Sequence, residues 1–360
     1  MTDRNRPETE DVRDLPMLSV ILPIRNEARY IARSLNAVLA QDYPSDRIEV
    51  IVVDGMSDDG SREIIGSIQA NNPNLRLIDN PGRIVPTGMN IAMARARGEV
   101  FVRVDGHCEI EQGYFRRCVE HLQNDGVDGV GGPMETVGET ELAAIIAAAM
   151  SSKFGVGDSA FRTVKDRTML ADTVAFPAYT RRVVERVGPY DEELVRNQDD
   201  DYNYRLRKLG AKVLLAVDVR SRYYSRDTIR SLWRQYFQYG YWKVRVMQKH
   251  PRQMRPRQFV PVLFVTAMLL SLLAAPFSII GTSMLGLTGG SYLIANLAAS
   301  GLTARKQNRL LSWLLPVIFA TLHVSYGLGF LVGLMKFWNR WGDSENRYSI
   351  FPTLPAKDAE

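Results

Sequence analysis

The stretch Val100-Phe101-Val102-Arg103-Val104-Asp105-Gly106-His107 joins a mostly apolar, β-branched run to a carboxylate, a glycine and an imidazole. The run predicts a buried β-strand, and open α/β sheets bind their ligands where strands end. Because Gly106 lets the backbone turn sharply, Asp105 and His107 could both reach one divalent cation. Taken alone, however, the stretch is more typical of a turn, with Asp105 as a cap and His107 at the surface.

Strands and helices alternate on the N-terminal side of this stretch. The predicted strands are at residues 18–24, 48–53, 75–78 and 100–104, and the predicted helices are at about 26–40, 61–70 and 86–98. Asn26 is a suitable N-cap for the first helix. The second strand is wholly apolar after Glu49, as expected when helices cover both faces of a parallel sheet. The βαβαβαβ order therefore predicts an α/β fold with a mostly parallel sheet and helices on both faces.

Carboxylates follow two of these strands, at Asp54 and Asp105. One acidic loop is usually a turn, but two at the same sheet edge suggest a site for a metal-bound diphosphate or for a ribose. The sequence has no Gly-x-Gly-x-x-Gly motif after its first strand and no Gly-x-x-x-x-Gly-Lys-Ser/Thr motif anywhere. These two absences disfavour a dinucleotide-binding fold and a P-loop.

Three further carboxylates stand together at the start of a predicted helix, as Asp199-Asp200-Asp201. Adjacent carboxylates repel one another, so they seldom share a core without compensating charge. They could form a solvated helix N-terminus, which the helix dipole favours, or one of them could be a general base near a metal. The glycine-hinged loop 154–162, which comes earlier, could equally close over a ligand or merely connect two elements.

Positive charge is concentrated in one part of the chain. The net charge is +5, and residues 220–257 include eleven Lys/Arg and one acidic residue, Asp227. Such a cluster suits nucleic acid or an anionic membrane, and its position just before an apolar region favours the membrane and disfavours a nucleic-acid partner. The two cysteines, Cys108 and Cys118, cannot form a disulfide framework and favour a reducing compartment. Residues 1–16 carry no signal-peptide pattern and are expected to be a flexible tail.

The C-terminal third of the chain is predicted to meet a lipid bilayer. Residues 226–257 are expected to form a basic amphipathic helix in the membrane interface, with an ordinary core helix as the alternative. The region 258–336 has no charged residue before Arg305, and it predicts three membrane spans. The spans are placed near 259–280, 283–303 and 310–335. Since basic residues mark cytoplasmic flanks, the N-terminal part is expected in the cytoplasm, and 337–360 is expected to be a tail.

Six motifs resemble those of family 2 glycosyltransferases, whose domain has the GT-A fold. Each motif is weak alone, but they occur in the family's order over roughly residues 17–220. They are VILPIRNE (20–27), VVDGMSDDGS (52–61), NIAMARARGE (90–99), VDGH (104–107), VGPYDEE (187–193) and QDDDYNYRL (198–206). The chain is most similar to membrane-bound bacterial exopolysaccharide enzymes such as the succinoglycan-type glucosyltransferases. The resemblance implies a GT-A nucleotide-diphospho-sugar transferase domain at 17–225, followed by the interfacial helix and about three transmembrane helices.

The resemblance places a nucleotide-sugar donor at the two acidic strand ends. Asp54 matches the carboxylate that binds the uracil of a UDP-sugar. Asp105 matches the first Asp of the family's Asp-x-Asp motif, near the ribose and diphosphate, and His107 takes the place of the second, metal-binding Asp. The residues implied to lie beside the nucleoside are Pro23, Asn26 and Glu27. The implied cofactor is Mn²⁺ or Mg²⁺ held by Asp105 and His107, and an imidazole ligand favours Mn²⁺.

The resemblance also implies a catalytic base. Asp199 matches the Asp of the family's Glu-Asp motif and is the expected base, with Asp200 as the second choice. Gln198 replaces the Glu of that motif. The Gln-x-x-Arg-Trp motif of processive synthases is absent, which disfavours a synthase that extrudes a polymer.

Together these features imply an inverting glycosyltransferase of the bacterial inner membrane. It would move a hexose, with glucose expected, from a UDP-sugar to a polyprenyl diphosphate-linked saccharide during synthesis of exopolysaccharide or another cell-surface glycan. A metal would neutralise the leaving diphosphate while the base deprotonates the acceptor hydroxyl, in a single displacement. The alternative is a non-catalytic membrane scaffold that keeps the nucleotide-sugar fold, because His107 and Gln198 depart from the family's motifs.

Overall fold

The computed structural model describes residues 15–307 and 309–341. The strands of this part are β1 (Leu18–Ile24), β2 (Ile48–Asp54), β3 (Leu75–Asp79), β4 (Val100–Arg103), β5 (Cys108–Ile110), β6 (Gly129–Gly132), β7 (Met134–Val137), β8 (Met169–Leu170), β9 (Ala175–Thr180), β10 (Val213–Leu215) and β11 (Ser221–Tyr224). The α-helices are α1 (Ile31–Leu39), α2 (Ser61–Gln69), α3 (Val85–Arg95), α4 (Tyr114–Asn124), α5 (Glu141–Met150), α6 (Lys153–Val156), α7 (Ala160–Thr163), α8 (Arg181–Val187), α9 (Gln198–Lys208), α10 (Ile229–Lys249), α11 (Pro256–Ala274), α12 (Ile279–Gln307) and α13 (Leu315–Lys336).

The main sheet has eight strands in the order β3-β2-β1-β4-β9-β6-β10-β8. β1 lies parallel to both β2 and β4, with Leu18 opposite Ile48 and Val100. Every residue of β1 and β2 is buried, as expected for strands that are covered on both faces. The predicted α/β fold with a mostly parallel sheet is confirmed. The carboxyl ends of β1, β2 and β4 therefore lie at one edge of the sheet, where the sequence predicted a site.

A second sheet of three short strands, in the order β5-β11-β7, was not predicted. Strands of three or four residues show too little alternation to be recognised from sequence. The sheet begins directly after His107, and β11 brings Tyr223 against that imidazole, with 4.9 Å between the ring centroids. The second sheet thus supplies one side of the predicted site.

The start of α1 differs from the prediction. Its N-cap is Tyr30, with no side-chain cap, and the helix begins at Ile31. Asn26 has a left-handed backbone with φ of 56°, a conformation that Asn tolerates better than most residues. The Asn26 side-chain oxygen accepts a hydrogen bond from the Asp58 N–H at 3.1 Å. The predicted cap is therefore wrong, because this amide holds the neighbouring loop instead.

Two helical segments among the described residues are long and apolar enough to cross a membrane. They are Pro256–Ala274 and Leu310–Lys336, each with a mean hydropathy of 1.8. They are weak evidence for membrane association, and the number of about three spans stays a prediction. α12 is longer, but its Gly, Ser, Thr and Asn residues make it less apolar. The first span also ends earlier than predicted, since α11 stops before Pro276, which has no N–H to continue a helix.

α10 packs against α13 so closely that their backbones touch. A Cβ at Gly240 would lie 2.0 Å from the carbonyl oxygen of Tyr326, and a Cβ at Gly329 would lie 2.1 Å from that of Phe237. Leu232 and Tyr236 of α10 are buried in the core cluster that also contains β1 and β2. The helix that was predicted to lie in the membrane interface is thus packed between α13 and the sheet domain, and its contact with a membrane stays a prediction.

Gly240→Ala is expected to destabilise the protein by about 1–3 kcal/mol, the usual cost of forcing an extra methyl group into a packed interior. The added carbon would push α10 away from Tyr326. Thermal unfolding of the detergent-solubilised protein measures the change. Gly286→Ala is the matched control, because no atom lies within 4 Å of its added Cβ and alanine is the better helix former. Equal melting temperatures for the two variants would contradict the close contact.

Candidate active site

A cleft of about 1550 Å³ begins at the carboxyl ends of β1 and β4 and continues to α10, α11, α12 and α13. It brings together most of the residues singled out from the sequence. Those that line it are Pro23, Asn26, Glu27, Asp105, His107, Asp199 and Asp200. The structure therefore collects into one space residues that are up to 177 positions apart in the chain (Pro23 to Asp200).

Glu27 and His107 form a pair at the start of the cleft. The Glu27 Oε1 atom lies 2.8 Å from His107 Nδ1, and both side chains are largely buried. The ring of Tyr223 meets the imidazole edge-on. If Nδ1–H donates to Glu27, then Nε2 carries the free lone pair, an arrangement that protein metal sites use to orient a ligating histidine.

Asp54 is the one predicted residue that does not line the cleft. It ends β2, and its side chain is fully buried. It accepts hydrogen bonds from the Ser57 N–H at 3.1 Å and the Ser57 hydroxyl at 2.5 Å, and it pairs with Arg62 at 2.5 Å. The uracil-binding role of Asp54 stays a prediction, and it would require the carboxylate to exchange one of these partners for the base.

Arg103 links the two halves of the site, and sequence reasoning missed it. Its Nε donates to Asp105 Oδ1 at 2.9 Å, and its Nη1 donates to Asp199 Oδ1. The side chain is only 9% exposed. Burial lowers the pKa of Arg103, but the carboxylates of Asp105 and Asp199 outweigh burial and hold that pKa well above its ordinary value. The available signal for this residue in the sequence was a single arginine in an otherwise apolar strand.

Asp199 lies in the first turn of α9 and lines the cleft. Its side chain is 44% exposed, and the surrounding protein displaces part of its hydration. This desolvation raises the pKa of Asp199 above its ordinary value of 3.8, while Arg103 partly opposes the shift. A carboxyl with a raised pKa that stays ionised beside a cation is suited to accept a proton near neutral pH.

The other two carboxylates of the triplet have cationic partners of their own. Asp200 forms an ion pair with Lys243 of α10. Asp201 is fully buried between Arg205 Nε at 2.9 Å and His250 Nε2 at 2.6 Å. Burial raises the pKa of Asp201, but His250 and Arg205 outweigh burial and lower it. The repulsion expected within the triplet is thus compensated by Arg205 of α9, by Lys243 of α10 and by His250, which follows α10. Asp199 instead shares its cationic partner, Arg103, with Asp105.

The residues present fit a divalent metal only with help from a substrate. No cluster of three or more His, Cys, Asp or Glu side chains that could hold a metal occurs among the described residues. Asp105 and His107 offer two donors in the cleft. Mg²⁺ in nucleotide sites commonly takes one or two protein ligands, with phosphate oxygens and waters completing the coordination. The donor set therefore suits a metal that arrives with a nucleoside diphosphate.

The loop 154–162 lines the cleft and is folded as two short helices, α6 and α7, around Gly157. Phe154 packs edge-on against Phe319 of α13, 5.0 Å between centroids. Its carbonyl oxygen bonds His323 Nε2 at 2.8 Å. The loop therefore joins the sheet domain to the C-terminal helices, and closure of this loop over a ligand stays a prediction.

Comparison with known proteins first identifies the class. A solved mannosyltransferase, PcManGT from Pyrobaculum calidifontis in complex with GDP-Man and Mn²⁺, matches 91% of this chain and 89% of its own, with a TM-score of 0.57 and 20% identity. This likeness shows the fold, which is the GT-A fold of nucleotide-sugar transferases. A divalent metal is typical of that fold.

Sequence relatives identify the family. The family model described as "Glycosyl transferase family 2" matches residues 19–187. The succinoglycan biosynthesis protein ExoA of Rhizobium meliloti is 31% identical over 240 residues, which are 64% of this chain and 70% of that protein. A dolichyl N-acetyl-α-D-glucosaminyl phosphate 3-β-D-2,3-diacetamido-2,3-dideoxy-β-D-glucuronosyltransferase of Methanococcus voltae is 25% identical over 89% of this chain and 97% of its own. The chain belongs to glycosyltransferase family 2, and the predicted family and enzyme class are confirmed.

Proposed function

We propose that this enzyme transfers a hexose, with glucose expected, from a UDP-sugar to a polyprenyl diphosphate-linked saccharide at the bacterial inner membrane, with inversion. The observation that carries the proposal is the single cleft in which Asp105 and Asp199 share Arg103 and which continues to the apolar helices. This arrangement supports a donor site, a base and a path for a lipid-linked substrate that lie side by side. The apolar helices agree with a catalytic domain held at the cytoplasmic face.

The proposed chemistry uses Asp199 as the base. Its carboxylate accepts the proton of the acceptor hydroxyl while that oxygen attacks the anomeric carbon of the donor. The new bond joins the acceptor oxygen to the anomeric carbon, and the bond from that carbon to the diphosphate oxygen breaks. UDP leaves with the electron pair. One displacement inverts the anomeric centre, so an α-linked donor yields a β-glycoside.

Asp105 and His107 would hold the metal together with the donor diphosphate. A bound Mn²⁺ or Mg²⁺ would supply charge neutralisation for the leaving diphosphate. Glu27 contacts the Nδ1 atom of His107 and thereby orients the imidazole ring. Arg103 is placed to keep Asp199 ionised until an acceptor hydroxyl arrives, because removal of a neighbouring cation would favour the protonated acid.

The similar proteins support a lipid-linked acceptor. The Methanococcus voltae relative is named for action on a dolichyl phosphate-linked sugar, and it matches nearly the whole of this chain. The Rhizobium meliloti relative is named for succinoglycan biosynthesis. Both names agree with glycan assembly on a membrane, and the two apolar segments of this chain agree with it as well.

A donor screen tests the proposed function. The full chain, purified in detergent, is incubated with radiolabelled UDP-glucose, UDP-galactose or UDP-N-acetylglucosamine and with lipid extract from a bacterium that makes exopolysaccharide. Label is expected to enter the organic phase from UDP-glucose with Mn²⁺ present, and to be lost on chelation. Binding of UDP without transfer or hydrolysis of any donor would instead favour the non-catalytic scaffold.

The metal preference is a separate prediction. Activity with Mn²⁺ is expected to exceed that with Mg²⁺, because an imidazole ligand suits the softer ion. His107→Ala is expected to weaken activation by Mn²⁺ by about 10- to 100-fold, and His107→Asp is expected to move the preference toward Mg²⁺. Rates over a metal titration measure both effects. His121→Ala is the control, since that imidazole lies on α4 and contacts Asp125 and Asp218 instead.

A further inference from the structure

The cleft is larger than one nucleotide sugar needs. Ligand pockets commonly enclose about 300–1,000 Å³, whereas this space measures about 1550 Å³. The donor residues occupy the end at β1 and β4. The other end is bounded by α10 and by the apolar helices α11, α12 and α13. A second ligand, larger than a sugar and partly apolar, would fill the remainder.

Three of the arginines that line this cleft are Arg162, Arg226 and Arg234. We call them the arginine cluster. Arg162 lies over the ring of Tyr223, with 5.8 Å from its guanidinium carbon to the centroid. Tyr223 is also the neighbour that contributes most to the raised pKa of Arg226, and the Tyr223 hydroxyl accepts a hydrogen bond from Gln235 at 3.3 Å. Arg162 and Arg226 therefore lie beside one tyrosine, whose ring meets that of His107 with 4.9 Å between centroids, and Arg234 lines the same cleft.

The arginine cluster lacks internal neutralisation. No carboxylate lies within ion-pair distance of these three guanidinium groups in the ranges 15–307 and 309–341, whereas Arg103 and Arg257 of the same cleft each have one. Guanidinium groups bind phosphate oxygens through two parallel hydrogen bonds. Unpaired cations gathered in a cleft thus call for an anionic ligand, and the donor diphosphate already has its place beside Asp105.

An apolar groove continues from the arginine cluster. Its lining side chains are Val260, Leu263, Phe264, Ala267, Ala295 and Leu322. Phe264 stacks on Tyr292 of α12 with 4.1 Å between centroids, which gives the groove a flat aromatic wall. Leu263 is 66% exposed, so the groove is open along one side. An open apolar groove next to a cationic cluster complements a phosphate group at the head of a long hydrocarbon chain.

We infer that the arginine cluster binds the phosphate groups of a polyprenyl diphosphate-linked acceptor and that the groove between α11, α12 and α13 receives the first isoprene units of its chain. This inference rests on the proposed transfer to a lipid-linked saccharide and assigns that acceptor to named residues. The saccharide at the head of the lipid then points toward Asp199. The arginine cluster acts as an anchor that sets the distance between the membrane lipid and the base.

Binding of farnesyl diphosphate tests the inference without any sugar transfer. The full chain in phosphatidylcholine nanodiscs is saturated with UDP, so that the donor site is filled, and is labelled with a benzophenone-tagged farnesyl diphosphate. Labelling is expected on α11 or α12, and unlabelled farnesyl diphosphate is expected to compete. The double variant Arg162→Gln/Arg234→Gln is expected to weaken competition about tenfold or more, since a charge-assisted hydrogen bond to phosphate is lost at each position.

Matched variants separate the two parts of the site. Ala267→Trp should fill the groove and weaken farnesyl diphosphate about tenfold while leaving competition by inorganic diphosphate unchanged. Leu270→Trp, on the same helix but outside the cleft and 62% exposed, should match the wild type. So should Arg230→Gln, an exposed arginine of α10 outside the cleft. Equal affinity of the arginine double variant and the wild type, or labelling away from α11 and α12, would overturn the inference.

The failure of this inference differs from failure of the proposed function. Farnesyl diphosphate bound as described, with no transfer from any UDP-sugar, would support the lipid site and reject the transfer. Transfer to lipid with an unchanged KM for the lipid in Arg162→Gln/Arg234→Gln would keep the proposed function and reject this site.

Discussion

Asp199→Asn is expected to lower kcat for hexose transfer by about 10²- to 10⁴-fold, the usual contribution of a positioned general base. The amide keeps the shape of the side chain and can still accept a hydrogen bond from Arg103, but it cannot take up a proton. The KM for the UDP-sugar should change little, because the proposed donor site lies at the other side of Arg103, beside Asp105. Steady-state rates with the lipid acceptor measure both constants.

Asp200→Asn is the matched comparison for Asp199→Asn. Asp200 is the neighbouring carboxylate, but it is bound to Lys243, so its loss should lower kcat by less than about tenfold. The pH profile gives a second readout. The pKa of Asp199 is raised, and the base must be ionised, so wild-type activity should fall with decreasing pH through that raised value. A larger loss in Asp200→Asn than in Asp199→Asn would transfer the role of base to Asp200.

Arg245→Met is expected to destabilise the protein by about 3 kcal/mol, at the lower end of the cost of breaking a buried ion pair. The guanidinium group is fully buried and contacts both carboxylate oxygens of Glu193, at 2.7 and 3.0 Å. Lys249 and Arg340 also contact Glu193, which moderates the loss. Unfolding of the detergent-solubilised protein measures the change, and Arg230→Met, an exposed position on the same helix, should stay within about 0.5 kcal/mol of the wild type.

Two further measurements test whether the loss of stability comes from the ion pair between Arg245 and Glu193. Glu193→Leu/Arg245→Met should recover part of the loss, because no half-buried carboxylate is then left without its Arg245 partner. Burial raises the pKa of Glu193, but Arg245 and Lys249 outweigh burial and lower it from 4.5 to about 2. The stability from this group is present above pH 4.5 and is lost as pH falls toward 2, so the acid dependence should be shallower in the double variant. A double variant less stable than Arg245→Met would contradict the pairing.

Local patterns predicted the parallel strands β1 to β4 because these strands are mostly apolar and alternate with helices at regular spacing. A parallel sheet places their carboxyl ends together. The acidic residues Asp54 and Asp105 could therefore be assigned to one edge of the sheet from the sequence alone. The short strands of the second sheet offered no comparable pattern, and neither did Tyr223, which β11 carries into the site.

Long-range ionic contacts could not be predicted in the same way. Arg103 and Asp199 are 96 residues apart, and nothing in either local sequence indicates the other. The same holds for Asp200 with Lys243 and for Asp201 with His250. The basic stretch 220–257 was assigned to a membrane surface because positive charge near apolar segments usually has that partner. In the structure, several of these cations are instead buried against acidic residues of the sheet domain.

The buried ion pairs between α10 and the acidic motif affect how the protein is made. On a ribosome, Glu193 and Asp200 emerge before their partners, since Lys243 follows Asp200 by 43 residues and Arg245 follows Glu193 by 52. Arg340 follows Glu193 by 147 residues and comes after both apolar segments. The acidic motif is fully neutralised only once the last helix has been synthesised and has packed on α10. A nascent chain that stops before α13 therefore lacks Arg340, and its Glu193 keeps Arg245 and Lys249 as cationic partners.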